Sequence, residues 1–496
     1  MTFFDDWLPA IGTTIRLMLT TATIATVVGL PAAWAADVMV MCCRRRLTRL
    51  WMIAMVTAIA TPLILHAAAW ESTAGKFGWL HQIATGGNDA WVAWIHGCHG
   101  SAVIAVITFW ATQRTPMATL DQGRLDYAPF ALWWRVKLAA SWPAVSMGVL
   151  LVMMIAATEM SVADLHSVRT VADQFYLFYA AAPTRTAIAM TVVVPWMLAV
   201  PMLVACRIML TRSNASSSDY EINALTQKIS HGHFIGAFIV LLCSLVLIVI
   251  LPGLGMLIQA GHEVEIVDGQ RRVSWSIVQA ATSIWDATSL FGREYFWTAI
   301  LSGLTTLLVL PIAWVTSSLV GRRLWGTWID VLVMLLFLVP GPIVGLFWTA
   351  CFAGGDSLRT YLATQTLVPT VLAVVVRAFV VAYLILRIGW QTTDPDTLRS
   401  ARLDGGVLWR SWCVHLPFLV GYLRMAAVAS VIVSSGDVPA TLPVVPPGVS
   451  TVGTRLFGLL HSGARFQEAS LAFWYLLAVV ILACLANPER RSTLDD

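Results

Sequence analysis

The sequence predicts an all-α polytopic membrane protein, with about eleven transmembrane helices in two parallel tandem repeats. Three observations carry this. Of 496 residues, 58% are hydrophobic and 12% charged, and the mean hydropathy is +0.76; soluble domains run near 45–50% apolar and about 25% charged. The apolar residues fall in runs long enough to cross a bilayer, which takes about 20 residues each. The two halves of the chain also match one another in a single frame. This composition excludes a soluble multidomain enzyme, and a net charge of only +4 excludes a strongly basic nucleic-acid binder. The 23 Trp suit a chain with many membrane–water interfaces.

Apolar runs bounded by charge place helices at 13–36, 50–70, 97–113, 143–160, 184–208, 233–258, 296–320, 328–352, 366–388, 421–437 and 466–486. Orientation follows from the basic residues. With the N-terminus outside and the C-terminus inside, nineteen of the 31 Lys and Arg fall in cytoplasmic segments, among them Arg44, Arg45, Arg46, Lys137, Arg322, Arg323 and Arg387. The positive-inside rule favours that arrangement. The first residues, MTFFDDWLPA, carry no basic stretch, so no removed signal peptide is expected. The eight cysteines form no CxxC and lie in or beside apolar runs, where they read as small hydrophobes.

The repeat is read from two matches. Leu30-Pro31-Ala32-Ala33-Trp34 closes the first run and Leu310-Pro311-Ile312-Ala313-Trp314 the seventh. Residues 113–138 align without a gap on 391–416, with ten identities that include Gln113/Gln391, Arg124/Arg402, Leu125/Leu403, Asp126/Asp404 and Trp134/Trp412. At the same offset of 278, Glu159 faces Asp437. Six crossings separate equivalent runs, so the repeats are parallel rather than inverted. The expected division is a first transmembrane repeat at 1–210, a polar cytoplasmic linker at 211–232 and a second repeat at 233–496, the run at 233–258 being extra to the second half.

Loops ordinarily diverge faster than cores, yet the best match between halves is a cytoplasmic loop. Residues 398–417 read as a short helix, a break at Gly405 and Gly406, and a second helix ending at Pro417. An interfacial amphipathic linker explains one such loop; its duplication favours docking to a partner. The stretch resembles the EAA loop of ABC-importer permeases, in which EAA is followed after three residues by Gly and later by Leu-Pro. One copy is Arg399-Ser400-Ala401-Arg402-Leu403-Asp404-Gly405 with Leu416-Pro417; the other is Asp121-Gln122-Gly123-Arg124-Leu125-Asp126-Tyr127 with Leu138-Ala139. Neither copy begins Glu-Ala-Ala, and the first lacks the turn glycine and the proline. The two-copy layout, with Glu159-Met160-Ser161-Val162, Val168-Arg169-Thr170 and Gly436-Asp437-Val438-Pro439 after the loops, is similar to the fused permeases of iron(III)-type importers.

That resemblance implies a permease of a bacterial inner membrane, with iron(III) as first candidate solute. Two cytoplasmic ATP-binding subunits would dock on the loops, at Arg124, Leu125, Asp126, Arg402, Leu403, Asp404, Gly405, Leu416 and Pro417. An extracytoplasmic binding protein would deliver solute. The chain has no GxxxxGK[ST] loop of its own. No catalytic residue, metal site or cofactor is expected.

Other residues are candidates on their own chemistry. Arg377 lies mid-run in LAVVVRAFVVAYL, where a charge costs about 2.5–3.5 kcal/mol on insertion scales; it either lines the solute path or pairs with a helix-end carboxylate. Glu159 and Asp437 at the outer ends of equivalent runs are path candidates, or simply solvated ends. His96-Gly97-Cys98-His99 reads as a loop outside the membrane, without enough ligands for a metal. Residues 273–291 read as an amphipathic helix on the outer surface. The rival classes are an ion-gradient-driven carrier, which needs mid-membrane acids, and an integral-membrane enzyme, which needs clustered His or carboxylates.

Overall fold

The computed structural model describes residues 3–75, 78–80, 87–174, 196, 200, 230–267, 270–320, 324–353, 357–393, 406, 409–462 and 465–486. It is helical almost throughout. The elements are α1 (Phe3–Met41), α2 (Arg45–Ala60), α3 (Leu63–Ala74), α4 (Asn88–Gln113), α5 (Met117–Asp126), α6 (Pro129–Thr158), α7 (Ser161–Leu165) and α8 (His231–Ala260). A short hairpin, β1 (His262–Val267) paired antiparallel with β2 (Gln270–Trp275), precedes α9 (Ile277–Leu290) and α10 (Gly292–Leu319). Then come α11 (Leu324–Phe337), α12 (Gly341–Phe352), α13 (Ser357–Gln365), α14 (Val368–Thr392), α15 (Leu416–Gly436), α16 (Val438–Thr441), α17 (Val452–Ser462) and α18 (Arg465–Ala486).

Among the described residues eight helices are long and apolar enough to cross a membrane, and two bent helix pairs raise this to ten. The expected span at 184–208, apart from residues 196 and 200, and the linker at 211–232, apart from its last three residues, lie outside the described residues. The runs at 50–70 and 328–352 are not single helices. The first is α2 and α3, bent by 105°; the second is α11 and α12, bent by 89°. Each break falls at a proline, Pro62 and Pro340, which has no N–H for the helix ladder. The amphipathic helix is present as α9, with Ile277, Val278, Trp285 and Leu290 exposed, but the hairpin replaces its expected first residues.

The first compact unit comprises Met1–Ala287 with Gly458–Phe473. Its centre is α1 packed along α4, with α6 against both. Small residues allow the close approach: a side chain at Gly29 would meet the Ser101 carbonyl at 2.8 Å, and one at Gly100 would meet Val152 at 2.6 Å. Ala25, Ala32, Ala33, Ala36, Ala102 and Ala105 fill the seam. Helix α8, which the sequence assigns to the second half, packs on α1 and α3, and the Trp51 indole donates to Ser244 Oγ at 3.2 Å.

The second unit comprises Thr288–Phe457 with Trp474–Asp496. Here α10, α14 and α15 pack together around Val309, Ala313, Ala378, Ala382, Tyr383 and Ala426. Gly341 and Gly345 bring α12 onto the Pro439–Pro443 turn; a side chain at either would meet backbone atoms of Ala440 at 2.8 Å.

Candidate functional site

In the first loop, α5 ends at Tyr127, whose extended backbone (φ −130°, ψ 138°) turns the chain without glycine. Pro129, with its fixed φ, then opens α6. Gly123 sits where α5 crosses the start of α6; a side chain there would meet Leu132 Cδ1 at 2.7 Å and Val136 Cγ2 at 3.1 Å. The chain therefore turns back between α5 and α6, with the short α5 lying across the first turns of α6. Leu125 is 87% exposed at the end of α5. Arg124 Nη1 donates to Asp121 Oδ1 at 2.8 Å, and Arg135 lies over the Tyr127 ring. Leu125 stands between Arg124 and Asp126 in the sequence.

In the second loop Arg402, Leu403, Asp404 and Gly405 lie outside the described residues. Leu416 and Pro417 do not end a helix as expected. A π-turn at Arg410–His415 runs straight into α15, with Pro417 in the first turn of that helix. The π-turn shifts the hydrogen-bond ladder, and a proline is accommodated where its N–H is not required. The first half has a π-turn at Trp133–Lys137, the aligned position, inside α6.

Beyond α6 and α15, both acids cap short helices, to different degrees. Glu159 accepts from the backbone N–H of Ser161 at 2.7 Å and of Val162 at 3.0 Å. Asp437 accepts from Ala440 N–H at a long 3.3 Å. Downstream, Thr170 caps Asp173 and Thr451 caps Thr454 through their hydroxyls. The backbone N–H of Val171 reaches Thr14 Oγ1 on α1, and that of Val452 reaches Thr298 Oγ1 on α10.

Two candidates meet. Arg377 Nη1 lies 3.5 Å from Asp437 Oδ1, with side-chain exposures of 15% and 2%. In the first unit His96 Nε2 lies 3.7 Å from Glu159 Oε2. The His96–His99 segment is not an external loop: all four residues lie buried inside α4. The Gly97 and Gly100 that look like loop residues are contact points for Ile24 and Val152. Among the described residues no group of three or more His, Cys, Asp or Glu is placed to hold a metal.

Sequence reasoning missed three polar devices. His66 Nε2 donates to the Ala58 carbonyl at 2.9 Å and His99 Nε2 to that of Ile59 at 3.3 Å. Those carbonyls close α2 just before the Pro62 break, and Ala58 is the one whose helical donor would have been residue 62. Asp37, 1% exposed, accepts from Lys137 Nζ at 2.8 Å and also from Gln113. Asp330 accepts from Tyr383 Oη at 2.6 Å and Arg387 Nε at 3.2 Å. Lys137 and Arg387 are thus buried partners rather than exposed loop charges. Beyond α7, Asp173 is buried; burial and, less strongly, Asp164 push its carboxyl up to about 6, against Arg169.

No protein-family model matches the chain. Over 224 residues it is 24% identical to the "Putative 2-aminoethylphosphonate transport system permease protein PhnV" of Salmonella typhimurium, covering 45% of this chain and 77% of that protein. The protein of the same name from Salmonella choleraesuis matches with the same identity and coverage. This weak similarity is to transport permeases and supports a permease role for the membrane protein described here, not an enzymatic one.

Proposed function

We propose that the chain is the permease of an ATP-binding-cassette importer in a bacterial inner membrane, built from two fused repeats and energised by two separate ATP-binding subunits. The observation that carries this is the first loop: α5 folded onto the start of α6 at Gly123, with Leu125 exposed between charged neighbours. The resemblance puts its coupling contacts there, at Arg124, Leu125 and Asp126. The corresponding contacts on the second loop are Arg402, Leu403, Asp404 and Gly405, followed by Leu416 and Pro417.

The duplication is supported by devices that recur at nearly constant offset. Pro62 and Pro340 break spans, a π-turn lies near the start of α6 and another leads into α15, and Glu159 and Asp437 cap the helices that follow. In this reading the repeats are 1–210 and 233–496, and ATP-driven approach of the docked loops rocks the helices attached to them. Arg377, Asp437 and Glu159 belong to the solute path, and an extracytoplasmic binding protein loads it, with the N-terminus outside and the C-terminus in the cytoplasm. The solute is small. Iron(III) rests on the resemblance of the segments after the loops, whereas the relatives' name points to 2-aminoethylphosphonate.

Purification from native membranes in mild detergent tests the reading. ATP-binding subunits should accompany the wild-type chain and should be lost with Leu125→Asp. Retention of the subunits by that variant would leave the loops as membrane anchors.

A further inference from the structure

We infer that the Arg377–Asp437 pair is a binding site for a zwitterionic small solute, its oxyanion taken by the guanidinium and its ammonium by the carboxylate. The inference rests on the permease reading and names the solute class for the second half of the path.

The argument starts from what the pair leaves unmade. Arg377 touches Asp437 through a single 3.5 Å contact, at the outer limit of a hydrogen bond. Arg377 Nε and Nη2, and Asp437 Oδ2, are buried and have no hydrogen-bond partner among the described residues. A guanidinium satisfied by a neighbouring carboxylate normally engages it through two parallel bonds at about 2.8 Å. Here two donors and one acceptor stand side by side unmatched, and buried charged groups in that condition are costly unless something completes them.

In the first unit the equivalent acid is held differently. Glu159 has one oxygen on the Ser161 N–H and the other on the Val162 N–H. At the offset that relates Glu159 to Asp437, residue 99 stands in for Arg377, and the His99 ring is committed to the Ile59 carbonyl. Both carboxylate oxygens of Glu159 and the Nε2 of His99 are therefore engaged, while the buried His96 beside Glu159 has neither ring nitrogen hydrogen-bonded among the described residues. Their counterparts in the second unit have spare hydrogen-bonding capacity.

The charges select the solute. The donor edge of Arg377 fits a phosphonate or carboxylate, whose planar or tetrahedral oxygens match two N–H groups. A simple anion placed there is repelled by Asp437 a few ångströms away. A simple cation drawn to Asp437 is repelled by Arg377. A molecule with an oxyanion at one end and an ammonium at the other satisfies both.

The test uses the purified full-length chain in nanodiscs with three probes: 2-aminoethylphosphonate, ethylphosphonate, which lacks the ammonium, and ethylamine, which lacks the oxyanion. Line broadening in ³¹P NMR reads the two phosphonates, and ethylamine is run as a competitor. Wild type should broaden 2-aminoethylphosphonate at a concentration about tenfold below that needed for ethylphosphonate, one charge-assisted contact being of that size. Asp437→Asn keeps a capping acceptor for α16 and should reduce the ratio to about one. Arg377→Gln should abolish binding of both, with Arg377→Lys restoring part. Equal binding of the two phosphonates by wild type, no binding of either, or an unchanged ratio in Asp437→Asn overturns the assignment. ATP-binding subunits recovered with the chain are scored separately: their absence alongside a tenfold preference would remove the energy source and leave the site.

Discussion

Lys137 and Asp37 form a buried ion pair at 2.8 Å that joins the end of α1 to the π-turn at the start of α6. The pair lies 100 residues apart in sequence and ties the loop bearing Leu125 to the longest helix of the first unit. Any force on that loop is therefore delivered to α1 as well as to α6. Breaking a buried pair by removing one partner typically costs about 3–5 kcal/mol, because the other charge is left without compensation. Lys137→Met should lower the thermal midpoint of the detergent-solubilised chain sharply, and Asp37→Asn with Lys137→Met should recover much of the loss.

The histidines at the Pro62 break make a second prediction. His66→Leu leaves the Ala58 carbonyl without its donor, at a cost of about 1–3 kcal/mol. Pro62→Ala supplies an N–H two residues beyond α2. In a double-mutant cycle on thermal stability, Pro62→Ala should offset part of the His66→Leu penalty. Strict additivity of the two changes would mean that the histidine does not replace the missing N–H.

Gly123 sets the fold of the first loop, and Tyr127 does not need to be glycine. Gly123→Val forces Leu132 and Val136 apart and should sever ATP hydrolysis from transport, while Tyr127→Val, whose backbone is extended, should retain coupling. Hydrolysis and uptake measured together in proteoliposomes check this.

Asp173 gives a pH dependence. Its carboxyl rises from 3.8 in the open chain to about 6 in the fold, so the folded state binds more protons across that window. Stability from this group is present at low pH and is lost as pH rises through about 6. Asp173→Asn should therefore gain on wild type in thermal midpoint as pH goes from 4 to 7. A constant difference across that range would show that the carboxyl is not held protonated.

Much of this was legible in the sequence, because a bilayer demands apolar runs and the positions of those runs are visible without a structure. The Pro62 and Pro340 breaks are not legible as breaks, since 50–70 and 328–352 are apolar on both sides of the proline and read as continuous runs. His96 to His99 reads as a loop from its ligand-type side chains, yet it lies inside α4, where Gly97 and Gly100 are places of close helix approach. The Asp37–Lys137 and Asp330–Arg387 pairs were hidden for another reason. Their partners are far apart in the chain, and a basic residue at the end of an apolar run looks like an exposed positive-inside charge. Arg377 and Asp437 were each singled out on chemistry alone, but their contact depends on the Asp437-capped turn seated on Gly341 and Gly345.

The most direct test of the permease account is ATP-driven uptake by the complex purified from native membranes and reconstituted in proteoliposomes. The account predicts that ATP-binding subunits co-purify, that uptake requires ATP hydrolysis, and that Leu125→Asp abolishes both association and uptake while the chain remains folded in the membrane. Recovery of the chain without such subunits, with uptake driven by an ion gradient in the absence of ATP, would contradict it.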